Sequence, residues 1–179
     1  PTVDNLGLLA RQTTIVSMAA LGMTLIIVSG GIDLSVGSII ALVTVAIAAA
    51  LKAGMAPWPS LFLGLGAGLI GGLLNGALIT KLKVGPFIVT LGTLLVIRGA
   101  AKGISHENSI YPPETWLNDL LAKPAANESW KLPTGVWLTL MFAVLVSLLM
   151  RRTRFGRHVV AIGSNEAAAR LCGVPVGRV

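Results

Sequence analysis

The chain has 179 residues, of which 54% are apolar and 12% charged, with a mean hydropathy of +0.83 and a formal net charge of +7. Soluble domains carry roughly 25% charged residues, so this balance excludes a water-soluble globular domain and indicates a polytopic membrane protein. The basic residues stand in clusters between apolar runs and form no basic face, which argues against a nucleic-acid partner, and the single cysteine, Cys172, excludes an internal disulfide.

The first apolar run follows Pro1 to Arg11. It has no charged n-region and no small-residue cleavage site, so it does not read as a signal peptide. Because the chain also stops at Val179 directly after a short polar segment, both ends are expected to be internal to a longer protein. The first two predicted spans are Gln12 to Ile32 and Leu34 to Leu51, each near the roughly 20 residues that cross a hydrocarbon core of about 30 Å. They meet at Ser29-Gly30-Gly31-Ile32-Asp33-Leu34-Ser35-Val36-Gly37, where an acidic residue, two hydroxyls and three glycines interrupt the apolar run. A carboxylate at membrane depth costs roughly 2.5 to 3.5 kcal/mol on insertion scales, so it marks a candidate functional site. The glycines predict a helix break, and broken backbone at that depth must be buried in protein or line a cavity. Gly31, Asp33, Ser35 and Gly37 are therefore candidate functional residues at this break. Asp33 or Ser35 is expected to cap the second helix, a structural role for Asp33 that ranks slightly above substrate contact.

The third span, Leu61 to Thr80, contains Gly64, Gly66, Gly68, Gly71, Gly72 and Gly76. Glycines four apart let helix backbones approach closely, so tight packing within the chain is expected, ahead of a subunit interface or a pathway wall. Asn75 is expected as an interhelical hydrogen-bond partner, with substrate binding as its second role. The fourth span, Phe87 to Ala101, carries Thr90, Thr93 and Arg98; the arginine either reaches the headgroups or lines the pathway. The fifth span is Leu132 to Met150, with Pro133 in its first turn.

Lys81 and Lys83 lie in one short connection, and Arg151, Arg152, Arg154 and Arg157 follow the fifth span, so both regions belong in the cytoplasm by the positive-inside rule. The polar segment 105–131, with Trp116 and Trp130 suited to an interfacial belt, then lies outside. Lys52 in the 52–60 connection is the one basic residue placed outside. The break at Gly31 to Gly37 falls toward the cytoplasmic half, away from the depth of Arg98, which argues against an Asp33–Arg98 pair.

After the arginine cluster, Ser164 or Asn165 is a good helix cap, Glu166 complements the helix dipole, Ala167 to Ala169 propagate the helix, and Gly173 with Pro175 ends it. This predicts a helix of about two to three turns, which is marginal in water unless it docks on a surface such as a soluble partner subunit. No phosphate-binding Gly-x-x-x-x-Gly-Lys-Ser/Thr loop and no nucleophile with a matching base occurs, and His106 and His158 are isolated. No catalytic residue, cofactor site or metal site is therefore expected.

Three stretches together carry a resemblance: Gly30 to Gly37; Lys81-Leu82-Lys83-Val84-Gly85-Pro86-Phe87-Ile88-Val89-Thr90-Leu91-Gly92-Thr93; and Phe155-Gly156-Arg157 with Gly163-Ser164-Asn165-Glu166-Ala167-Ala168-Ala169-Arg170-Leu171. In this order they resemble the inner-membrane permease subunits of bacterial ABC importers for monosaccharides, of the ribose, xylose and arabinose type. The resemblance implies an all-α, polytopic transmembrane bundle like that of type II importers, with this chain supplying the second to sixth helices. It also implies that the break at Gly31 to Gly37 lies near a translocation pathway. Residues 1–179 would form one incomplete permease domain, with 105–131 as an external loop and 151–179 as a cytoplasmic segment. The partners implied are a cytoplasmic ATPase subunit, a periplasmic sugar-binding protein and a second permease copy, within the lipid of the bacterial inner membrane. Gly163, Ser164, Asn165, Glu166, Ala167, Ala168, Ala169, Arg170 and Gly173 match the family's coupling helix, which sits in a cleft of the ATPase. One departure is the 105–131 loop, longer than the family pattern. The competing class is an ion-gradient-driven secondary transporter, which also places substrates at broken helices but leaves the capped helix after the arginines without a role.

Overall fold

A computed structural model describes residues 3–120, 122 and 132–178. Among the described residues all regular structure is helical: α1 (Val3–Val28), α2 (Val36–Lys52), α3 (Pro57–Leu82), α4 (Pro86–Ser105), α5 (Trp116–Asp119), α6 (Thr134–Arg152), α7 (Arg154–Ser164) and α8 (Glu166–Leu171), with a final 3-10 turn over Val176–Arg178. Segments Asn5–Val28, Pro57–Leu82, Pro86–Ser105 and Thr134–Arg152 are long and apolar enough to cross a membrane. At 17 residues α2 is shorter; its rise of about 25 Å stands at the lower limit for a span.

The boundaries depart from the sequence expectation in instructive ways. The first helix begins at Val3 rather than Gln12, because Asp4, Asn5 and Arg11 do not stop a helix that apolar residues continue on both sides. It ends at Val28, four residues before Ile32. There the Gly31 N–H donates to the Ile26 carbonyl at 2.9 Å and the Gly30 N–H to Ile27 at 3.0 Å. This is a Schellman closure, which needs a left-handed residue; Gly30 supplies it at φ +85. Pro133 precedes α6 instead of lying in its first turn. Pro124, Trp130 and Lys131 of the expected external loop lie outside the described residues.

The chain divides into two compact units, one comprising residues 1–31 and 116–179 and the other Ile32–Thr115. In the second unit α2 packs on both α3 and α4. Three of the α3 glycines explain the closeness: a Cβ on Gly64 would overlap the Ile47 side chain, one on Gly68 would lie 3.0 Å from Val43 Cγ2, and one on Gly71 would lie 3.4 Å from Ile39 Cγ1. Gly66, Gly72 and Gly76 have nothing within 4 Å, so close packing accounts for one face of α3 alone. Gly64→Leu is therefore expected to lower stability by about 1–3 kcal/mol through overpacking, whereas Gly72→Leu should shift it by less than about 0.5 kcal/mol. Thermal unfolding of the detergent-purified full-length protein reads the difference, and equal losses would refute the facing assigned to these glycines.

In the first unit α1 packs on α6 and α7, and α7 on α6 and α8. The Gly135 N–H donates to the Leu120 carbonyl at 2.7 Å, which ties the segment after α5 to the start of α6.

Candidate functional site

Within the second unit the segment Ile32 to Ser35 runs into α2 without a regular helical cap. Ser35 is the residue before the helix, yet its hydroxyl caps no backbone amide. Instead Asp33 Oδ1 accepts two hydrogen bonds at 2.7 Å, one from the Ser35 N–H and one from the Ser35 hydroxyl. This Asx-type turn is a short polar side chain standing in for a backbone acceptor. The expected capping by Asp33 or Ser35 thus resolves into a division of labour: the carboxylate holds the turn, and the hydroxyl is its donor.

Two neighbouring helices fix that turn. From α3, Asn75 Nδ2 donates to Ser35 Oγ at 2.7 Å. Ser35 has 0% of its surface exposed and Asn75 4%, so amide, hydroxyl and carboxylate form a directed series, Asn75 to Ser35 to Asp33, in which each donor finds an acceptor. From α4, the buried Thr90 hydroxyl accepts from the Leu34 N–H at 3.2 Å and donates to the Pro86 carbonyl at 2.8 Å. One side chain thereby joins the interrupted segment to the first turn of α4. Thr93 is half-buried and donates to the Thr90 carbonyl at 3.3 Å, so it supports Thr90 without touching the turn.

The structure gathers Asp33, Ser35, Asn75 and Thr90 into this network and leaves other predicted residues out. Gly37 lies inside the first turn of α2, exposed, with nothing within 4 Å of a built Cβ. Gly31 is half-buried and follows the left-handed Gly30. Arg98 is exposed and stands two turns beyond Thr90, about 12 Å along α4. The ion pairs among the described residues, Lys102–Glu107 at 3.8 Å and Arg170–Glu166 at 2.6 Å, involve neither Arg98 nor Asp33.

Sequence reasoning missed Ser38. One turn beyond Ser35 on α2, it is 2% exposed, and its Oγ and Asn75 Oδ1 are buried without a protein partner. The i, i+3 spacing of Ser35 and Ser38 in an apolar helix was the available signal. Unpaired buried polar atoms are rare in folded proteins, and each calls for a reason. Their position beside the Asp33 turn marks the α2–α3 contact as the polar heart of this unit.

A second candidate region lies after the arginines, in the first unit. The expected helix is α8, shorter than two to three turns, and a helix not expected, α7, precedes it. α7 starts where Thr153 Oγ1 accepts from the Gly156 N–H at 3.2 Å. It ends at Ser164, so Gly163 and Ser164 close one helix rather than open the next. α8 is six residues long, less than two turns. Its cap is Asn165, whose Oδ1 accepts from the Ala168 N–H at 3.0 Å. Glu166 pairs with Arg170, Ala169 is buried, and Ala167 and Ala168 are exposed. Val174 N–H to Ala169 carbonyl and Gly173 N–H to Arg170 carbonyl, both 3.0 Å, make a second Schellman closure with Gly173 at φ +82. Helix α7 is hidden in the sequence because its basic residues also carry the topology signal. Phe155, Val159, Val160 and Ile162 interleaved with Arg154, Arg157 and His158 form the amphipathic pattern that reveals it.

Comparison with known proteins bears on what this arrangement belongs to. The chain is 32% identical over 178 residues to the ribose import permease protein RbsC of Escherichia coli (strain K12), which covers 99% of this chain and 56% of that protein. It is 38% identical over 178 residues to the L-arabinose transport system permease protein AraH of the same strain, covering 99% of this chain and 53% of the relative. To RbsC of Bacillus subtilis (strain 168) it is 39% identical over 173 residues, 96% of this chain and 52% of that one. The chain thus spans about half the length of the curated relatives it matches. No solved structure was found to match it. Residues 5–179 match the family described as branched-chain amino acid transport system / permease component. The chain belongs to this permease family, as a multi-pass protein of the bacterial inner membrane.

Proposed function

We propose that the chain is part of the transmembrane permease subunit of an ATP-driven importer that moves a monosaccharide into the cell by alternating access. The observation that carries the ATP-driven part is the α7–α8 pair. It is a capped pair of helices directly after Arg151 and Arg152, in which every residue of α8 but Ala169 is exposed, and a helix as short as α8 is marginal in water without a docking surface. The secondary-carrier reading gives this element no role. The relatives' own names, which specify ribose, L-arabinose and fructose import, support a monosaccharide as cargo.

In this reading a cytoplasmic ATPase subunit seats α8, a periplasmic binding protein delivers the sugar, and a second permease copy completes the pathway. The chain performs no chemistry on the sugar. Nucleotide acts on the permease only through differential affinity for its inward- and outward-facing states. The Asp33 turn, held by Ser35, Asn75 and Thr90, shapes the wall of the pathway, with Gly31, Gly37, Thr93 and Arg98 along the same segments.

The test is uptake by the full-length permease reconstituted in vesicles with its ATPase and binding protein. Radiolabelled sugar should accumulate only with ATP inside the ATPase-facing compartment and the binding protein on the other side. Uptake driven by a proton or sodium gradient alone, indifferent to ATP, would overturn the proposal in favour of a secondary transporter.

A further inference from the structure

Gly156 and Gly163 stand two turns apart on α7 and therefore share a face, with the buried Val159 between them. Each meets the end of another helix, backbone to backbone. A Cβ on Gly156 would overlap the Met150 carbonyl group in the last turns of α6. A Cβ on Gly163 would overlap the Val28 carbonyl oxygen and lie 3.1 Å from the Ser29 carbonyl carbon, at the end of α1. The contact is reciprocal, since a Cβ on Gly30 would come within 3.6 Å of Gly163 Cα. The atoms nearest to each built Cβ at these junctions are backbone.

We infer that Gly156 and Gly163 are positioning residues that make α7 a rigid strut, passing movement of α8 to the end of α1. The inference rests on the proposed coupling role of α8. Its physical basis is the lack of slack at each joint. Asn165 both closes α7, its N–H donating to Ala161 at 3.1 Å, and caps α8 through its side chain. Asn165 is the single residue between the two helices. At the other end, a side chain pressed against a neighbour can change rotamer and absorb a displacement, whereas backbone against backbone cannot. Val28, Ser29 and Gly30 belong to the Schellman closure of α1, whose next residues are Gly31, Ile32 and Asp33. The same contact gives the left-handed Gly30 a second reason to be glycine.

The experiment uses the full-length permease with its ATPase and binding protein in vesicles, measuring ATP hydrolysis and sugar uptake on the same sample. Gly163→Val should retain ATPase assembly and hydrolysis while sugar moved per ATP falls by about tenfold or more; Gly163→Ala should give a smaller loss in the same direction. Gly177→Val, at a glycine with nothing within 4 Å, should leave the ratio unchanged. Wild-type sugar per ATP in an assembled Gly163→Val transporter would overturn the inference. A second measurement holds even where that variant fails to assemble. Cysteines introduced by Ser29→Cys and Ser164→Cys should cross-link at the same rate in the nucleotide-free and ATP-trapped states, and a rate that changes between them would show that α7 slides on α1 and refute the strut. Failure of the importer reading looks different, since wild-type uptake would then ignore ATP altogether.

Discussion

Asp33→Ala is expected to reduce sugar uptake by the reconstituted full-length transporter by at least about tenfold, while Asp33→Asn keeps most of it. A single carboxylate oxygen takes both hydrogen bonds of the turn, from the Ser35 N–H and the Ser35 hydroxyl. An asparagine carbonyl oxygen in the same place accepts both, whereas alanine leaves a buried hydroxyl and an amide unpaired, at about 1–3 kcal/mol for each group. If the negative charge itself served to bind sugar or a coupling cation, asparagine would fail as badly as alanine. Uptake and thermal stability of the two variants side by side decide the matter, and equal loss in both would exclude the structural role.

The second large effect is expected on α8. Ala167→Trp and Ala168→Leu place bulk on exposed positions of a helix whose caps they leave intact. Both should permit the permease to fold, yet keep α8 from seating in the ATPase, so that sugar moved per ATP falls by at least about tenfold. Ala169 is unsuitable for this test, since its 5% exposure means that a larger side chain there would disturb the packing of α8 itself. Glu166→Gln should be mild, because an exposed i, i+4 pair contributes only roughly 0.2–0.5 kcal/mol. Unaltered uptake and assembly in the Ala167 and Ala168 variants would count against a coupling role for α8.

How much of this was legible in the sequence depends on the physical signal each element carries. The long apolar helices were plain, because hydropathy over about 20 residues is the dominant constraint on a chain in lipid. Their ends were not, since α1 continues through Asp4, Asn5 and Arg11 and stops four residues before Ile32, where hydrogen bonding at Gly30 outweighs the apolar character of the residues beyond. Asp33 announced itself by charge. Its partners were weighed as candidates but could not be joined to it, because Asn75 and Thr90 meet the turn only when α3 and α4 pack on α2. Which α3 glycines face α2 was equally hidden, as all six share one composition and only Gly64, Gly68 and Gly71 meet a neighbour. At the other extreme, the cap and stop of α8 were readable residue by residue, while α7 was obscured by arginines that serve orientation and helix polarity together.

The division of the chain also has a consequence for biogenesis. Helices α2, α3 and α4 are consecutive, so their glycine contacts and the Asn75–Ser35 bond can form soon after α4 leaves the ribosome, with only short loops to close. Helix α1 precedes them in the chain, whereas α6 and α7, on which it packs, follow them. It must therefore wait in the membrane with its own partners missing, while a later-born group of helices is already assembled. The step that joins Gly30 to Gly163 must await the synthesis of α7, and truncation after α4 would leave α1 without the helices it packs on.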